Sequence, residues 1–264
     1  MERLFVVKIG GNVIDDENKL SQFLKDFAQI KENKILIHGG GKVATEISKG
    51  LGIEAQMVDG RRITDAETLK IVTMVYGGLI NKKIVSRLLA NGNNAIGLTG
   101  ADASIIKAKK RPVKNGIDYG FVGDVEKVDY KTISNFIGQQ LTPVIAPLTH
   151  DGEGNMLNTN ADTIASTVAV ALSGIYEVNL IYCFELNGVL RDINDKESVI
   201  NDIDFDNYLK LKEEGVIAKG MIPKMDNSFD AIQAGVNSVI ICHADHLVSI
   251  INNNERKGTK LSLK

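Results

Sequence analysis

The sequence predicts an α/β fold on a largely parallel, open sheet, and three observations predict it. Short continuous apolar runs recur along the chain, segments with helical periodicity lie between them, and glycine clusters follow the first two runs directly. Continuous apolar runs fit strands buried on both faces. Strands that alternate with helices give a parallel sheet.

Leu4 to Val7 forms the first predicted strand and Ile35 to Ile37 the second. Between them, Leu20, Phe23, Leu24 and Phe27 keep the i, i+3, i+4, i+7 spacing of one helix face. A helix holding Val43, Ile47 and Leu51 follows the second strand. Residues 65 to 90 form a long, mostly apolar helical stretch, with Thr64 as its expected cap and a break expected at Gly77-Gly78. Ala95 to Leu98 is the next strand. Residues 104 to 128 interrupt the alternation, with short β-like pieces around Arg111-Pro112, Asn115-Gly116 and Gly120. Asn-Gly is a hairpin turn signal, so this segment is expected as a β-hairpin excursion attached to the sheet. Val144 to Ala146 is a strand, and Ile164, Ala165, Val168, Ala169 and Leu172 mark a helix with Asp162 as its expected cap. Leu180 to Cys183 and Val239 to Cys242 are late strands. Phe229 with Ile232, then Leu247, Ile250 and Ile251, mark two late helices. The softest boundary falls near Ser173-Gly174, giving two lobes, 1–173 and 174–264, on one continuous sheet.

Composition excludes several classes. Lys and Arg total 31 against 33 Asp and Glu, a formal net charge of -2, so no basic surface points to nucleic acid and no acidic tail points to disorder. No run of about 18 or more apolar residues marks a membrane span. The N-terminus, Met1-Glu2-Arg3-Leu4, enters a strand without the apolar core of a signal peptide. Cys183 and Cys242 each end an apolar run and read as reduced core residues, which fits a cytoplasmic protein.

Gly is frequent, at 25 residues, and Pro scarce, at 4. Lys8-Ile-Gly-Gly11 follows the first strand, and His38-Gly-Gly-Gly-Lys42 follows the second and opens a helix. Glycines there let backbone N–H groups face an anion. Two such turns at the carboxyl ends of neighbouring strands would form one crevice, where open α/β sheets bind ligands. Two other readings stand beside phosphate binding. One is a pair of tight turns with no ligand. The other is a dinucleotide fingerprint, Gly39-x-Gly41-x-x-Ala44, with Glu54 or Asp59 on the ribose. That fingerprint lies on the second strand and leaves Lys8-Ile-Gly-Gly unexplained. No Walker A loop and no Gly-x-Ser-x-Gly elbow occurs.

Gly60-Arg61-Arg62-Ile63-Thr64 holds two adjacent arginines, one of which is suited to grip a carboxylate bidentately. Asn158 to Asp162 reads either as a loop with a helix cap or as a polar rim for a small anion. Lys219 and Lys224 bracket a Gly and Pro turn, solvated or aimed at phosphate. His243-Ala-Asp-His246, with Cys242 beside it, is set aside as a metal site because no second cluster completes it.

Taken in order, Lys8-Ile-Gly-Gly, His38-Gly-Gly-Gly, Gly60-Arg-Arg-Ile-Thr64, Gly97-Leu-Thr-Gly100, Asn158-Thr-Asn-Ala-Asp162 and Gly220-Met-Ile-Pro-Lys224 resemble the amino acid kinase family, in its acylglutamate branch. The resemblance spans nearly the whole chain. It implies a three-layer αβα sandwich whose lobe 1–173 binds the acylglutamate and dimerises, while lobe 174–264 binds ATP. The implied reaction is ATP-dependent phosphorylation of the side-chain carboxylate of N-acetyl-L-glutamate, in arginine biosynthesis. N-succinylglutamate is the alternative acceptor, with Arg61, Lys42 or Lys107 available to meet its extra carboxylate. A glutamate carboxylate has a pKa of about 4.3, so it is already the nucleophile at neutral pH and no general base is needed. Positioning and charge neutralisation remain.

By this resemblance Lys8 and Lys224 flank the transferring phosphoryl group and Asp162 orients them. Gly10, Gly11, Gly40 and Gly41 offer backbone N–H groups to phosphate oxygens, Gly40 and Gly41 also bordering the acceptor. Arg62 grips the α-carboxylate of the acylglutamate, and Asn158 contacts its amide or carboxylate. ATP lies around residues 182 to 190 and 217 to 222, with Cys183, Glu185, Gly188, Lys219 and Gly220 among its contacts, and Mg²⁺ rides on its phosphates. The chain departs from the family after the strand ending at Cys183. The family usually has Ser or Thr, then Asp, where this chain has Phe184-Glu185. Arginine-inhibited hexameric relatives carry an extra helix before the first strand; here the strand starts by about Leu4, which points to a homodimer without arginine feedback. A catalytically silent amino-acid or nucleotide sensor is a reading of another class, opposed by intact Lys8, Asp162 and Lys224.

Overall fold

The apolar runs become strands and the periodic segments helices. The computed structural model describes residues 1–58, 61–217, 221–253 and 255–263, with backbone alone at Arg61 and Asn253. In chain order the first half comprises β1 (Arg3–Ile9), α1 (Gly11–Ile14), α2 (Glu17–Gln29), β2 (Asn33–His38), α3 (Gly41–Gly50), β3 (Met57–Val58), β4 (Arg61–Arg62), α4 (Ala66–Val72), α5 (Asn81–Ala90), β5 (Ala95–Leu98), β6 (Ile106–Lys110) and β7 (Gly123–Val128). There follow α6 (Tyr130–Gly138), β8 (Thr142–Ile145), β9 (Leu148–His150), β10 (Met156–Asn158), α7 (Ala161–Leu172), β11 (Glu177–Phe184), β12 (Asp202–Asp204), α8 (Phe205–Glu213), α9 (Ile222–Gln233), β13 (Ser238–His243), α10 (Leu247–Asn253) and β14 (Thr259–Ser262). The fold is α/β, with a mostly parallel sheet and helices on both sides.

The chain divides into two compact units, one of Met1–Ile35 with Ala165–Lys264, the other Leu36–Ile164. The first 35 residues therefore pack with the C-terminal half. The reason lies in β1, which pairs in parallel with β11 along its whole length, from Arg3 opposite Glu177 to Ile9 opposite Cys183.

In the first unit β11 also pairs in parallel with β13, and β14 runs antiparallel beside β13 and parallel to β12. Helix α2 buries Leu20, Phe23, Leu24 and Phe27, each worth about 1.5–3 kcal/mol on full burial. Asp16 caps its first turn through Asn18 N and Lys19 N. The buried Lys34 closes its last turn, Nζ donating to the carbonyls of Phe27, Ala28 and Ile30 at 2.9, 3.3 and 2.6 Å.

In the second unit β2, β8 and β5 are parallel neighbours. The hairpin excursion is β6 and β7, antiparallel with a bulge at Lys107/Ala108; it is not attached to the parallel sheet as expected, because β9 and β10 pair with it into a four-stranded sheet of its own. Its tip turns at Asn115 and Gly116, both at positive φ (53° and 76°), while Lys114 and Ile117 exchange backbone hydrogen bonds, as an Asn-Gly turn requires.

The structure corrects three local expectations. The stretch from 65 to 90 does not break at Gly77-Gly78; residues Thr73–Ile80 widen into π-helical turns between α4 and α5. Its cap is Asp65, whose side chain accepts from Thr68 N. Thr64 is buried in β-bridging with Gly120 instead. Helix α7 is capped by Asn160, whose Oδ1 accepts from Asp162 N and Thr163 N. Asp162 thus stands in the first helical turn.

Candidate active site

In the first unit, register explains how Lys8 meets its neighbours. Lys8 lies directly opposite Tyr182 in the parallel pair β1–β11, so their side chains share one face of the sheet. Phe184 is two residues further along β11, on the same face as Tyr182. The two rings stack with centroids 6.3 Å apart and planes within 2°. Lys8 Nζ lies 5.6 Å from the Phe184 centroid. Lys224 Nζ lies 4.0 Å from the same centroid and 4.9 Å from that of Tyr182. Both predicted catalytic lysines therefore gather on one aromatic ring.

Lys224 is the third residue of α9, after Pro223, with no capping side chain at its N-terminus. A helix N-terminus disfavours a cation. An anion drawn to that turn would reverse the penalty.

Gly10 and Gly11 follow Ile9, but the Gly10 amide is committed: it donates to Cys183 O at 2.9 Å, extending the β1–β11 ladder. It offers no N–H to phosphate in this arrangement, contrary to expectation. Its contribution is an absent side chain, since a Cβ there would approach Phe184 Cδ1 to 3.2 Å. Gly11 opens α1.

Cys183 points away into the core, fully buried, its Sγ 3.9 Å from that of Cys242 on the neighbouring strand. That contact, and burial after it, push its thiol pKa up. Its side chain is unavailable to a nucleotide. Glu185 is exposed. Gly188 is packed tightly, a Cβ there falling 2.7 Å from Thr259 Oγ1, whose hydroxyl also caps Val189 N. Lys219 and Gly220 lie outside the described residues, as do Asp59 and Gly60.

In the second unit the Gly39–Gly41 turn rests on a buried polar network. His38 is fully buried, and burial lowers its pKa to about 4, so the ring is neutral at pH 7. Its Nδ1 is 2.8 Å from Gly39 O and its Nε2 is 3.2 Å from Asn81 Nδ2. Gly39 O can only accept, so the proton lies on Nδ1 and Nε2 accepts from Asn81. Asn81 Nδ2 also donates to Val144 O at 2.9 Å, and its Oδ1 accepts from Lys82. Gly40 adopts φ +142°, and a Cβ there would collide with Ile80 Cδ1 and crowd Tyr76. The π-helical stretch delivers both of those side chains. Gly41 begins α3, which has no capping side chain, leaving first-turn amides for an anion.

Arg62 reaches this turn from β4. Its Nη2 donates to Gly41 O at 2.9 Å and to Thr45 Oγ1 at 2.7 Å. Its Nη1 is buried without a hydrogen-bond partner among the described residues. The guanidinium also faces the phenol of Tyr76, whose pKa burial raises and Arg62 partly restrains. Asn158 ends β10, and its Nδ2 donates to Thr64 Oγ1 at 3.0 Å. Thr64 in turn exchanges backbone bonds with Tyr119 and Phe121, and Asn158 N donates to Phe121 O. Thr64 and Asn158 are thus tied to the segment 119–121 that leads into β7. Asp162 stands four residues beyond Asn158, in the first turn of α7.

The structure brings Lys8, Gly10 and Lys224 together around Phe184 in one unit, and Gly40, Gly41 and Arg62 around Tyr76 in the other. Sequence reasoning missed Tyr76 and Asn81 as parts of the site, took His38 only as the start of a glycine motif, and took Phe184 only as a departure from the family. Among the described residues no group of three or more His, Cys, Asp or Glu side chains is arranged to hold a metal ion.

Comparison with known proteins agrees. The amino acid kinase family model matches residues 3–243. A protein of Cytophaga hutchinsonii named acetylglutamate kinase is 69% identical over 261 residues, 99% of each chain. One of the same name from Bacteroides thetaiotaomicron is 57% identical over 260 residues, 98% of each. The crystal structure of smu.665 from Streptococcus mutans superposes with TM-score 0.80 at 26% identity, covering 99% of both chains. Carbamate kinase from Giardia lamblia bound to AMP-PNP superposes with TM-score 0.69 at 14% identity, covering 100% of this chain and 99% of that one. The last of these shows the fold alone. The glycine turns, the paired lysines and the family match over most of the chain converge: this chain belongs to the amino acid kinase family.

Proposed function

We propose that the chain transfers the γ-phosphoryl group of ATP to the side-chain carboxylate of N-acetyl-L-glutamate, giving an acyl phosphate for arginine biosynthesis. The whole-length identity to acetylglutamate kinases, 69% in the Cytophaga protein, carries the acceptor. The lysine pair on Phe184 supports the chemistry. The acceptor carboxylate needs no base, so the protein's task is to orient it and to neutralise charge on the transferring group. In this reading Lys8 and Lys224 place positive charge on the phosphoryl oxygens and Asp162 orients them. Gly11 and Gly188 line the nucleotide side, with Lys219 and Gly220. The first-turn amides of α3 receive phosphate oxygens at Gly40 and Gly41. Arg62, with Nη1 uncommitted to a hydrogen bond among the described residues, holds the α-carboxylate of the acceptor, and Asn158 meets its amide.

Mg²⁺ enters with the ATP phosphates, where it offsets the charge of the β- and γ-phosphoryl oxygens. No helix among the described residues is long and apolar enough to cross a membrane. We read the chain as a cytoplasmic homodimer. Met74 and Leu79, large apolar side chains more than half and half exposed (58% and 50%), supply apolar surface for a partner, and sedimentation equilibrium tests the dimer.

The deciding experiment traps acyl phosphate with hydroxylamine, using acetylglutamate, succinylglutamate, glutamate, aspartate and carbamate in turn with Mg-ATP. Hydroxamate from acetylglutamate well above the others is expected. No hydroxamate from any acceptor would refute the kinase reading, and a preference for succinylglutamate would reassign the acyl group.

A further inference from the structure

We infer that Phe184 is a positioning residue for phosphoryl transfer: its ring is the platform on which Lys8 and Lys224 are held side by side. The inference rests on the kinase reading above. It starts from the departure noted in the sequence, where this chain carries Phe in place of the usual Ser or Thr.

A hydroxyl at that position acts by hydrogen bonding. A phenyl ring can act only through its face and its bulk. The face is occupied: both ammonium groups lie within 6 Å of one centroid, at 5.6 and 4.0 Å, the range in which a ring quadrupole attracts a cation. The bulk is occupied too, because the ring lies over Gly10, where any Cβ would press on it at 3.2 Å. Tyr182 lies parallel beside it, its centroid 6.3 Å away and 4.9 Å from Lys224 Nζ. The ring itself is half-buried at the end of β11.

This arrangement answers a specific problem. Two lysines that neutralise one phosphoryl group must be close together, and like charges resist that. An aromatic face attracts both ammonium groups and leaves their charge intact. It also removes rotamers from two long side chains before the substrate arrives, so less ordering remains to be done in the transition state.

The test compares F184L, which keeps apolar bulk and removes the ring face, with F184Y, which keeps the face. An ammonium on a ring is worth about twofold when exposed and about thirtyfold when desolvated. F184L is therefore expected to lower kcat about tenfold, with the KM for ATP changed by less than about threefold. F184Y is expected to recover kcat to within about threefold of wild type. Circular dichroism checks that both variants fold. A second readout needs no turnover. With lysine labelled at ¹³Cε, and signals assigned through K8R and K224R, the Lys8 and Lys224 Hε resonances in wild type are expected upfield from ring current. In F184L the Lys8 resonances move to ordinary lysine positions and those of Lys224 move toward them, Tyr182 still lying 4.9 Å from its Nζ. Unmoved lysine resonances would overturn the inference, as would equal loss of kcat in F184L and F184Y, or a loss confined to KM. If wild type yields no hydroxamate from any acceptor, the kinase reading falls. The lysine shifts still decide whether Phe184 holds the pair.

Discussion

Protonating His38 should loosen the Gly39–Gly41 turn, and the size of the effect follows from its burial. An ordinary histidine titrates at about 6.5 in an unfolded chain. In the folded protein desolvation lowers His38 to about 4, with Lys82 acting in the same direction and the bond to Gly39 O opposing. The folded-state pKa lies below the unfolded one, so the unfolded chain binds the proton more readily. Stability from this residue is complete above the unfolded value and is lost as pH falls from about 6.5 toward about 4. Those two values give a loss of about 2 kcal/mol at pH 5 and about 3 kcal/mol below pH 4. The local consequence is specific: a proton on Nε2 turns an acceptor into a donor facing the Asn81 amide, which is already donating to Val144 O. The assay is urea unfolding followed by circular dichroism at pH 7 and pH 5, in wild type and in His38→Gln. Contributions common to both proteins cancel in the comparison. Wild type should lose about 2 kcal/mol more than His38→Gln over that interval. Parallel losses in the two proteins would refute both the buried neutral ring and its place in the network.

Three further outcomes follow from the site. Lys8→Ala and Lys224→Ala should each lower kcat by about a hundredfold to a thousandfold, more than they raise either KM, because their charge acts on the developing phosphoryl charge; unchanged kcat in both folded variants would remove them from the mechanism. Arg62→Ala should raise the acylglutamate KM by about tenfold to a hundredfold with little change in the KM for ATP, the loss expected for a hydrogen-bonded ion pair; equal effects on both substrates would argue against a carboxylate clamp. Gly40→Ala should destabilise by about 1–3 kcal/mol from backbone strain alone, with more from its collision with Ile80, and a thermal melt unchanged from wild type would contradict the φ of +142°.

Much of this architecture was legible because it depends on local chemistry. Every predicted apolar run lies in or overlaps a strand, since parallel strands covered on both faces cannot tolerate alternation. The Asn115-Gly116 hairpin was legible because few residues adopt positive φ twice in succession. What failed was competition between adjacent capping residues. Thr64 and Asp65 are both good caps, as are Asn160 and Asp162, and sequence alone did not choose. Long-range contacts decided: Thr64 is occupied by Tyr119, Phe121 and Asn158, which leaves Asp65 to the helix. The commitment of the Gly10 amide was likewise invisible, because it depends on where β11 ends relative to β1. Phe184 read only as a departure, because nothing in its neighbours announces that two lysines, 8 and 224, converge on it.

The departures from ordinary structural rules cluster where the function is proposed. A cation stands in the first turn of α9, a π-helical stretch interrupts good helix, a glycine is held at φ +142°, and a histidine is buried. Each is unfavourable alone, and each is compensated by a named neighbour. The ring of Phe184 steadies Lys224, Tyr76 and Ile80 fill the space that Gly40 leaves, and Asn81 satisfies His38. Away from the turns, α2 is capped at both ends and apolar on one face, and its buried Lys34 is satisfied by three carbonyls. A sequence selected only to fold would have little reason to keep four unfavourable features beside two glycine turns. Their placement beside the two turns is an observation separate from kinship. Phe184 belongs with them: without a ring at the end of β11, the cation at the start of α9 would lose the nearer of the two rings it lies against.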